Sequence, residues 1–340
     1  MTPDDRTMTK DRSTSRAALT RAISGSIPLI IYHWNGWPGY VIDKLSPKAI
    51  VREASPSENV RKLLDSLPVS PGVFLFHLNC SITEAFPSQR QELLAALDDR
   101  GWVTCNEEVV DISKRGIQAR LVDAGCRSVL GRQEGPPEEL MVIKSNYNYG
   151  GKNESLLPEN IQTLLGVEHI STAGLNYTTS RRAEIQEDAW SDPSLTIERF
   201  VGNERGHYFR AWVAGERTHL VELHCPDNIK KIGISRLMGI WSSQFDSHSP
   251  LPDPAADRVM TEVIKVSVAL GLDFGALDVM VNDEGEPFVV DVNTTPWFRL
   301  HPGWEVSGFP DYVHHLSAGS AKALSFSRSL LRPLRVWRHS

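Results

Sequence analysis

GALDVMVNDEGEPFVVDVNTTPWF, residues 275–298, has two runs of apolar and β-branched residues flanking Asp283-Glu284-Gly285-Glu286. That is the pattern of a β-hairpin. An even-length loop centred between Glu284 and Gly285 puts Asp278 opposite Asp291. Strand alternation then gathers Asp278, Met280, Val289, Asp291 and Asn293 on one face. The other face, Leu277, Val279, Val281, Phe288, Val290 and Val292, is wholly apolar and belongs in a core. Opposed side chains have Cβ atoms ~5 Å apart, where like charges are destabilising. At an effective dielectric of ~20 the repulsion is roughly 3 kcal/mol. A hard divalent cation offsets it: Asp278, Asp291 and the Asn293 carbonyl are all-oxygen ligands of the type magnesium takes, with phosphates completing the shell.

Groups suited to holding those phosphates lie upstream. Lys144 ends the apolar strand LMVIKS (residues 140–145), beside the loop NYNYGGKNE, whose Gly150 and Gly151 let backbone approach a phosphate closely. Lys114 opens a helix, a position the macrodipole disfavours for a cation, and so invites a functional explanation. Arg210 interrupts the otherwise apolar and aromatic strand HYFRAWV, and its planar fork suits an anion.

The rest of the chain reads as segments. Residues 1–26, rich in Thr, Asp, Arg and Ser, form a flexible leader. IPLIIYHW, VFLFHLN and WVTC are buried strands alternating with the helices SPSENVRKLLDSL and SQRQELLAALDDRG. This alternation predicts a parallel α/β layer, bounded as a domain at 27–108. A helix ending at Gly125 follows, with ENIQTLL and SRRAEIQEDAW helical in pattern. LTIERFV and HYFRAWVAGERTHLVELH are strands, the latter a hairpin turning at Gly215-Glu216. SSQFDSHSPLPDP is a surface loop. DPAADRVMTEVIKVSVALG is a helix with Asp253 as N-cap and Gly271 at its end.

Composition bounds the function classes. The 340 residues are 41% hydrophobic and 23% charged, which is ordinary for a globular protein. The net charge of −6 includes a basic segment at 320–340, so the body between the termini is acidic and offers no general footprint for nucleic acid. No apolar run is long enough to span a membrane. The four cysteines include no Cys-x-x-Cys pair, which excludes a disulfide framework or zinc site and suits a reducing, cytoplasmic setting.

These parts in this order resemble the ATP-grasp superfamily over about residues 27–315, most specifically in LDVMV…VVDVNTTP. The resemblance implies an α/β and α+β fold of ATP-grasp architecture: an N-terminal α/β domain (27–108), a central lobe (109–201) and a C-terminal lobe (202–319), the two lobes enclosing ATP, then a basic tail (320–340). It implies that Lys114 and Lys144 bind phosphates, that Glu198 with Phe200 and Val201 hydrogen-bonds adenine, and that Glu204 is the nearest candidate for the ribose. Arg210 then steadies the transferring phosphoryl group, and Asp278, Asp291 and Asn293 hold magnesium, two ions with manganese able to substitute. Where many members of the superfamily have Glu, this chain has Asp291. The implied reaction joins a small-molecule or peptide carboxylate to an amine through an acyl phosphate, releasing ADP and phosphate. Arg299 or His301 is a candidate for the substrate carboxylate. A small-molecule kinase and a non-catalytic nucleotide-binding regulator are the alternatives, and oligomerisation into a homo-oligomer stays open.

Overall fold

The hydrophobic segments of the first hundred residues form a parallel sheet. The computed structural model describes residues 12–34, 49–54, 59–78, 87–152, 154–156, 159–165, 177–227, 235–245 and 250–296. Strands β1 (Leu29–Trp34), β2 (Ile50–Ala54), β3 (Val73–Phe76) and β4 (Val103–Cys105) lie in the order β2-β1-β3-β4. Helices α2 (Val60–Asp65) and α3 (Pro87–Asp99) cover one face, where Leu63, Leu64, Leu93 and Leu97 bury against Ile30, Tyr32, Phe74 and Phe76. Asn59 caps α2 by accepting from the Lys62 N–H. The Ser55–Glu58 start expected for this helix lies outside the described residues, and edge strand β2 was not anticipated by the sequence pattern.

The opposite face of this sheet corrects the reading of residues 1–26 as a flexible leader. Residues 1–11 lie outside the described residues, but α1 (Arg12–Ile23) is a helix with Ala18, Leu19, Ala22 and Ile23 buried. Its partners are Leu29, Ile31, Val73 and Leu75 on one side and Trp212, Val221 and Phe274 on the other. The helix is therefore a filling between two sheets. Its ends are fixed by polar bonds: Arg12 Nη1 donates to Gly271 O at 3.0 Å, and Thr20 Oγ1 accepts from the Glu216 N–H at 3.0 Å.

The central lobe starts with α4 (Lys114–Asp123), capped by Ser113 accepting from the Gly116 N–H. Beside it lies an antiparallel sheet β6-β5-β7, made of β5 (Leu140–Ser145), β6 (Thr178–Arg181) and β7 (Leu195–Arg199). Helix α5 (Glu159–Leu165) follows the helical reading of ENIQTLL. The reading of SRRAEIQEDAW as helical is only partly met, since its start belongs to β6 and only α6 (Glu187–Ser191) is α-helical.

The C-terminal lobe is an antiparallel sheet β10-β9-β8-β11-β12, built from β8 (His207–Ala214), β9 (Arg217–His224), β10 (Arg236–Gln244), β11 (Phe274–Val281) and β12 (Pro287–Asn293). Helix α7 (Pro254–Leu270) packs its Val259, Val263 and Val266 on the apolar face of this sheet. Asp253 accepts from the Ala255 and Ala256 N–H groups, and Gly271 closes the helix at φ +69°, a conformation costly for any residue with a Cβ. The stretch 242–254, read as loop, begins inside β10. The C-terminal lobe is described to residue 296, so the tail at 320–340 and the candidates Arg299 and His301 lie outside the described residues.

The hairpin pairs Asp278 with Asp291, as expected, but by a different route. Its loop is odd: Gly285 donates to Asn282 O and sits at φ +84°, leaving Asp283-Glu284-Gly285 as a three-residue turn. Val281 therefore faces Pro287, and Val279 faces Val289. A β-bulge at Val290 then adds one residue to β12 and restores the pairing of Asp278 with Asp291. The face assignments for three residues are corrected accordingly: Val290, expected in the core, lines the cleft instead. Val289 is buried in the core and Phe288 pairs with Met280 on the aspartate face, the reverse of the alternation reading.

Candidate active site

Side chains from both lobes converge on a cleft lined by Val142, Lys144, Tyr177, Glu198, Phe200, Val201, Tyr208, Asp278, Met280, Val290 and Asp291. Alternation along β5 puts Val142 and Lys144 on one face, and antiparallel pairing brings Glu198 of β7 beside them. Lys144 Nζ lies 2.7 Å from Glu198 Oε2 and donates to Val290 O at 3.1 Å, so it spans the lobes. Glu198 is buried with Oε1 lacking a hydrogen-bond partner. Burial pushes its carboxyl above the usual range, against the opposing pull of Lys144.

Lys114 is not the surface lysine that its place at a helix start would allow. It is 3% exposed, donates to Tyr147 O at 2.9 Å and lies 3.9 Å from Asp291 Oδ1. Burial lowers its ammonium pKa, with Asp291 opposing and Lys144 adding to the shift. On the neighbouring strand, directly opposite Asp278, Arg210 Nη1 reaches both oxygens of that carboxylate at 3.0 and 3.1 Å. Burial raises the Asp278 carboxyl, Arg210 counters it, and the facing Asp291 raises it further. The repulsion inferred from the hairpin is therefore present, partly offset by Arg210.

The donor set fits magnesium. Lys114, Lys144 and Arg210 are matched by Glu198, Asp278 and Asp291, so these six charges cancel and cannot neutralise a polyphosphate by themselves. Two facing carboxylates supply hard oxygen ligands, and a cation sharing its shell with phosphates needs few more from protein. Among the described residues no group of three His, Cys, Asp or Glu side chains could hold a metal alone. Asn293 Oδ1 accepts from the Thr295 N–H at 2.8 Å and lies 3.2 Å from Thr295 Oγ1, so it also orders the following loop.

Phe200 and Val201 line the cleft, although the Phe200 N–H is committed to Leu140 O at 2.9 Å. Glu198 points to Lys144 rather than along the backbone segment that follows it. Glu204 is exposed and does not line the cleft; its N–H donates to Asp283 Oδ1 at 3.0 Å. Gly150 and Gly151, at φ +65° and +80°, form a short turn that likewise does not line the cleft.

Sequence reasoning missed Tyr177 and Tyr208. The Tyr177 ring lies 6.0 Å from Lys144 Nζ, and burial together with Asp291, Glu198 and Asp278 holds its phenol well above the ordinary value. Tyr208 hydrogen-bonds Ser235 Oγ at 2.8 Å. Tyr208 was findable, since it lies two residues before Arg210 on the same strand face; Tyr177 had no such signal.

No protein-family model and no curated protein matches the chain. Among solved structures it is similar to an L-amino acid ligase from Bacillus licheniformis, at 13% identity, covering 84% of this chain and 69% of that one, with a TM-score of 0.44. Several of the similar structures are described as ATP-grasp ligases. A D-alanine–D-alanine ligase from Bacillus anthracis complexed with ATP matches at 13% identity over 89% of this chain and 99% of that one, TM-score 0.42. The ATP-grasp ligase PsnB complexed with precursor peptide PsnA2 and AMPPNP matches at 13% identity over 85% and 97%, TM-score 0.43. What a cleft of this composition does chemically rests on its own side chains.

Proposed function

We propose that this chain is an ATP-dependent ligase that joins a carboxylate to an amine through an acyl phosphate. The observation that carries the reading is the convergence of Lys144, Asp278 and Asp291 on one cleft between two lobes, with Lys114 set 3.9 Å behind Asp291 and Arg210 bonded to Asp278. Phosphoryl transfer asks little covalent chemistry of a protein and much positioning and charge neutralisation, and this side-chain set is suited to that. Lys114 and Lys144 hold the phosphates. Arg210 steadies the phosphoryl group in flight. The apolar walls Val142, Met280 and Val290, with the backbone of Phe200 and Val201, take the base; Glu204, outside the cleft, is left without a role in holding the ribose. Asp278 and Asp291 hold magnesium, as two ions with Asn293 as a further ligand and manganese as a substitute; bound there, magnesium supplies the positive charge that the balanced cleft lacks.

In the reaction, an oxygen of the substrate carboxylate bonds to the γ-phosphorus and the bond to ADP breaks. The amine nitrogen then bonds to the acyl carbon, phosphate departs, and the nitrogen loses its proton. The substrates are small molecules or peptides. A reducing, cytoplasmic setting fits the free Cys105, Cys126 and Cys225.

The test is ADP formation in magnesium buffer with amino acids and short peptides as candidate substrates, followed by mass analysis of the product. Amide product with stoichiometric ADP and phosphate is expected. A phosphorylated product without amide would instead mark a kinase, and nucleotide binding without turnover a regulator.

A further inference from the structure

Leaving its three-residue turn, the hairpin runs in a register that would set Asp291 opposite Leu277, on the apolar face. The extra residue Val290 shifts the pairing by one, and Asp291 faces Asp278 instead. A one-residue slip exchanges the faces of every residue beyond it, so the carboxylate pair depends on this bulge. Bulges leave backbone groups outside the ladder, and buried ones need other partners. Two side chains of the central lobe bind adjacent carbonyls here. Gln118 Nε2 donates to Val289 O at 2.8 Å, and Lys144 Nζ donates to Val290 O at 3.1 Å.

Gln118 has no exposed surface. Its amide oxygen accepts from Ser128 Oγ at 2.8 Å and from the Val129 N–H at 2.9 Å, which fixes the nitrogen toward Val289. Four residues separate it from Lys114 on α4, so one helix face presents Lys114 to Asp291 and Gln118 to the bulge.

We propose that Gln118 is a positioning residue for the cation site: by holding the Val289 carbonyl it fixes the bulge, and through it the opposition of Asp278 and Asp291. The inference rests on the ligase reading and deepens it. Gln118 is fully buried and does not line the cleft. Lys144 shares the hold on the bulge but also serves the phosphates, so only Gln118 separates the two roles.

The test uses the full chain with Gln118→Met, which keeps length and removes both amide functions, and Gln118→Glu, which keeps the acceptor for Ser128 and Val129 and removes the donor. Mn2+ binding in the presence of ATP is followed by electron paramagnetic resonance of the free ion. Hydrogen exchange of β12 is measured without any ligand. Both variants are expected to bind Mn2+ roughly 10- to 100-fold more weakly, with ATP affinity in the absence of metal unchanged. Exchange rises in β12 and stays at wild-type levels in β8 and β9. Wild-type Mn2+ affinity in both variants overturns the proposal, and so does faster exchange throughout the lobe with metal affinity falling no more than that of ATP alone. A wild-type chain that binds no Mn2+ with ATP removes the ligase reading itself, and the role of Gln118 with it.

Discussion

One face of β8 and β11 serves two seams of opposite character. Toward one end, Trp212, Phe274 and Ala276 lie under α1 and the N-terminal sheet. Toward the other, Tyr208, Asp278 and Met280 line the cleft against the central lobe. The first seam is apolar and finished by Asn106, whose side chain accepts from the Asp273 and Phe274 N–H groups and donates to Phe274 O. The second is held by lysines, carboxylates and one buried amide. Apolar burial is indifferent to what binds nearby, whereas buried ion pairs offset desolvation poorly and change with every added charge. One seam is built to hold and the other to respond.

The sharpest way to break this contrast is at the cleft. Asp291→Ala is expected to lower magnesium-dependent ATP turnover by on the order of 10²–10³-fold, with a melting temperature close to wild type. Turnover retained in that variant would falsify the site assignment. At the other seam, Leu19→Ala should cost about 2–5 kcal/mol in urea unfolding, while turnover per folded molecule stays near wild type. A neutral result there would mean that α1 contributes nothing to the hold.

The smallest effect concerns pH at the same apolar seam. Burial raises the Asp273 carboxyl to about 6, against the opposing Asn106 N–H, Arg12 and Arg16, with Glu107 adding to the rise. The fold therefore prefers the protonated acid. Its stabilisation is full below the ordinary carboxylate value and is lost as pH rises through about 6. Asp273→Asn keeps an oxygen acceptor without the charge. It should be the more stable protein above pH 6, by up to about 3 kcal/mol, and match wild type near pH 4. Melting curves of the two proteins that run parallel from pH 4 to 8 would remove Asp273 from the account.

The acid pair was legible because a strand's period of two is rigid, but its geometry was reached through two offsetting one-residue differences. The sequence pattern shows neither the odd turn nor the bulge, and so put Phe288, Val289 and Val290 on the wrong faces. Lys114 stood out because its position opposes the helix dipole, and Arg210 because it breaks an apolar strand. Gln118 is an unremarkable polar residue in a helix until its partner 171 residues away is known. Helix α1 was hidden for a related reason. Its buried face includes Ala18, Ala22, Ser15 and Arg16, small or polar residues that give no sustained apolar period but suit a narrow space between two sheets. Edge strands β2 and β10, half-exposed, carried too little alternation to be read.

The seat of α1 has a consequence for biosynthesis. This helix leaves the ribosome before every strand that surrounds it, and its groove is complete only after β11 has emerged. At ~5–20 residues per second of translation, Leu19 and Ile23 wait tens of seconds without their final neighbours. The nascent chain must shelter that sticky stretch on the young parallel sheet, or on a chaperone, until the distant half arrives.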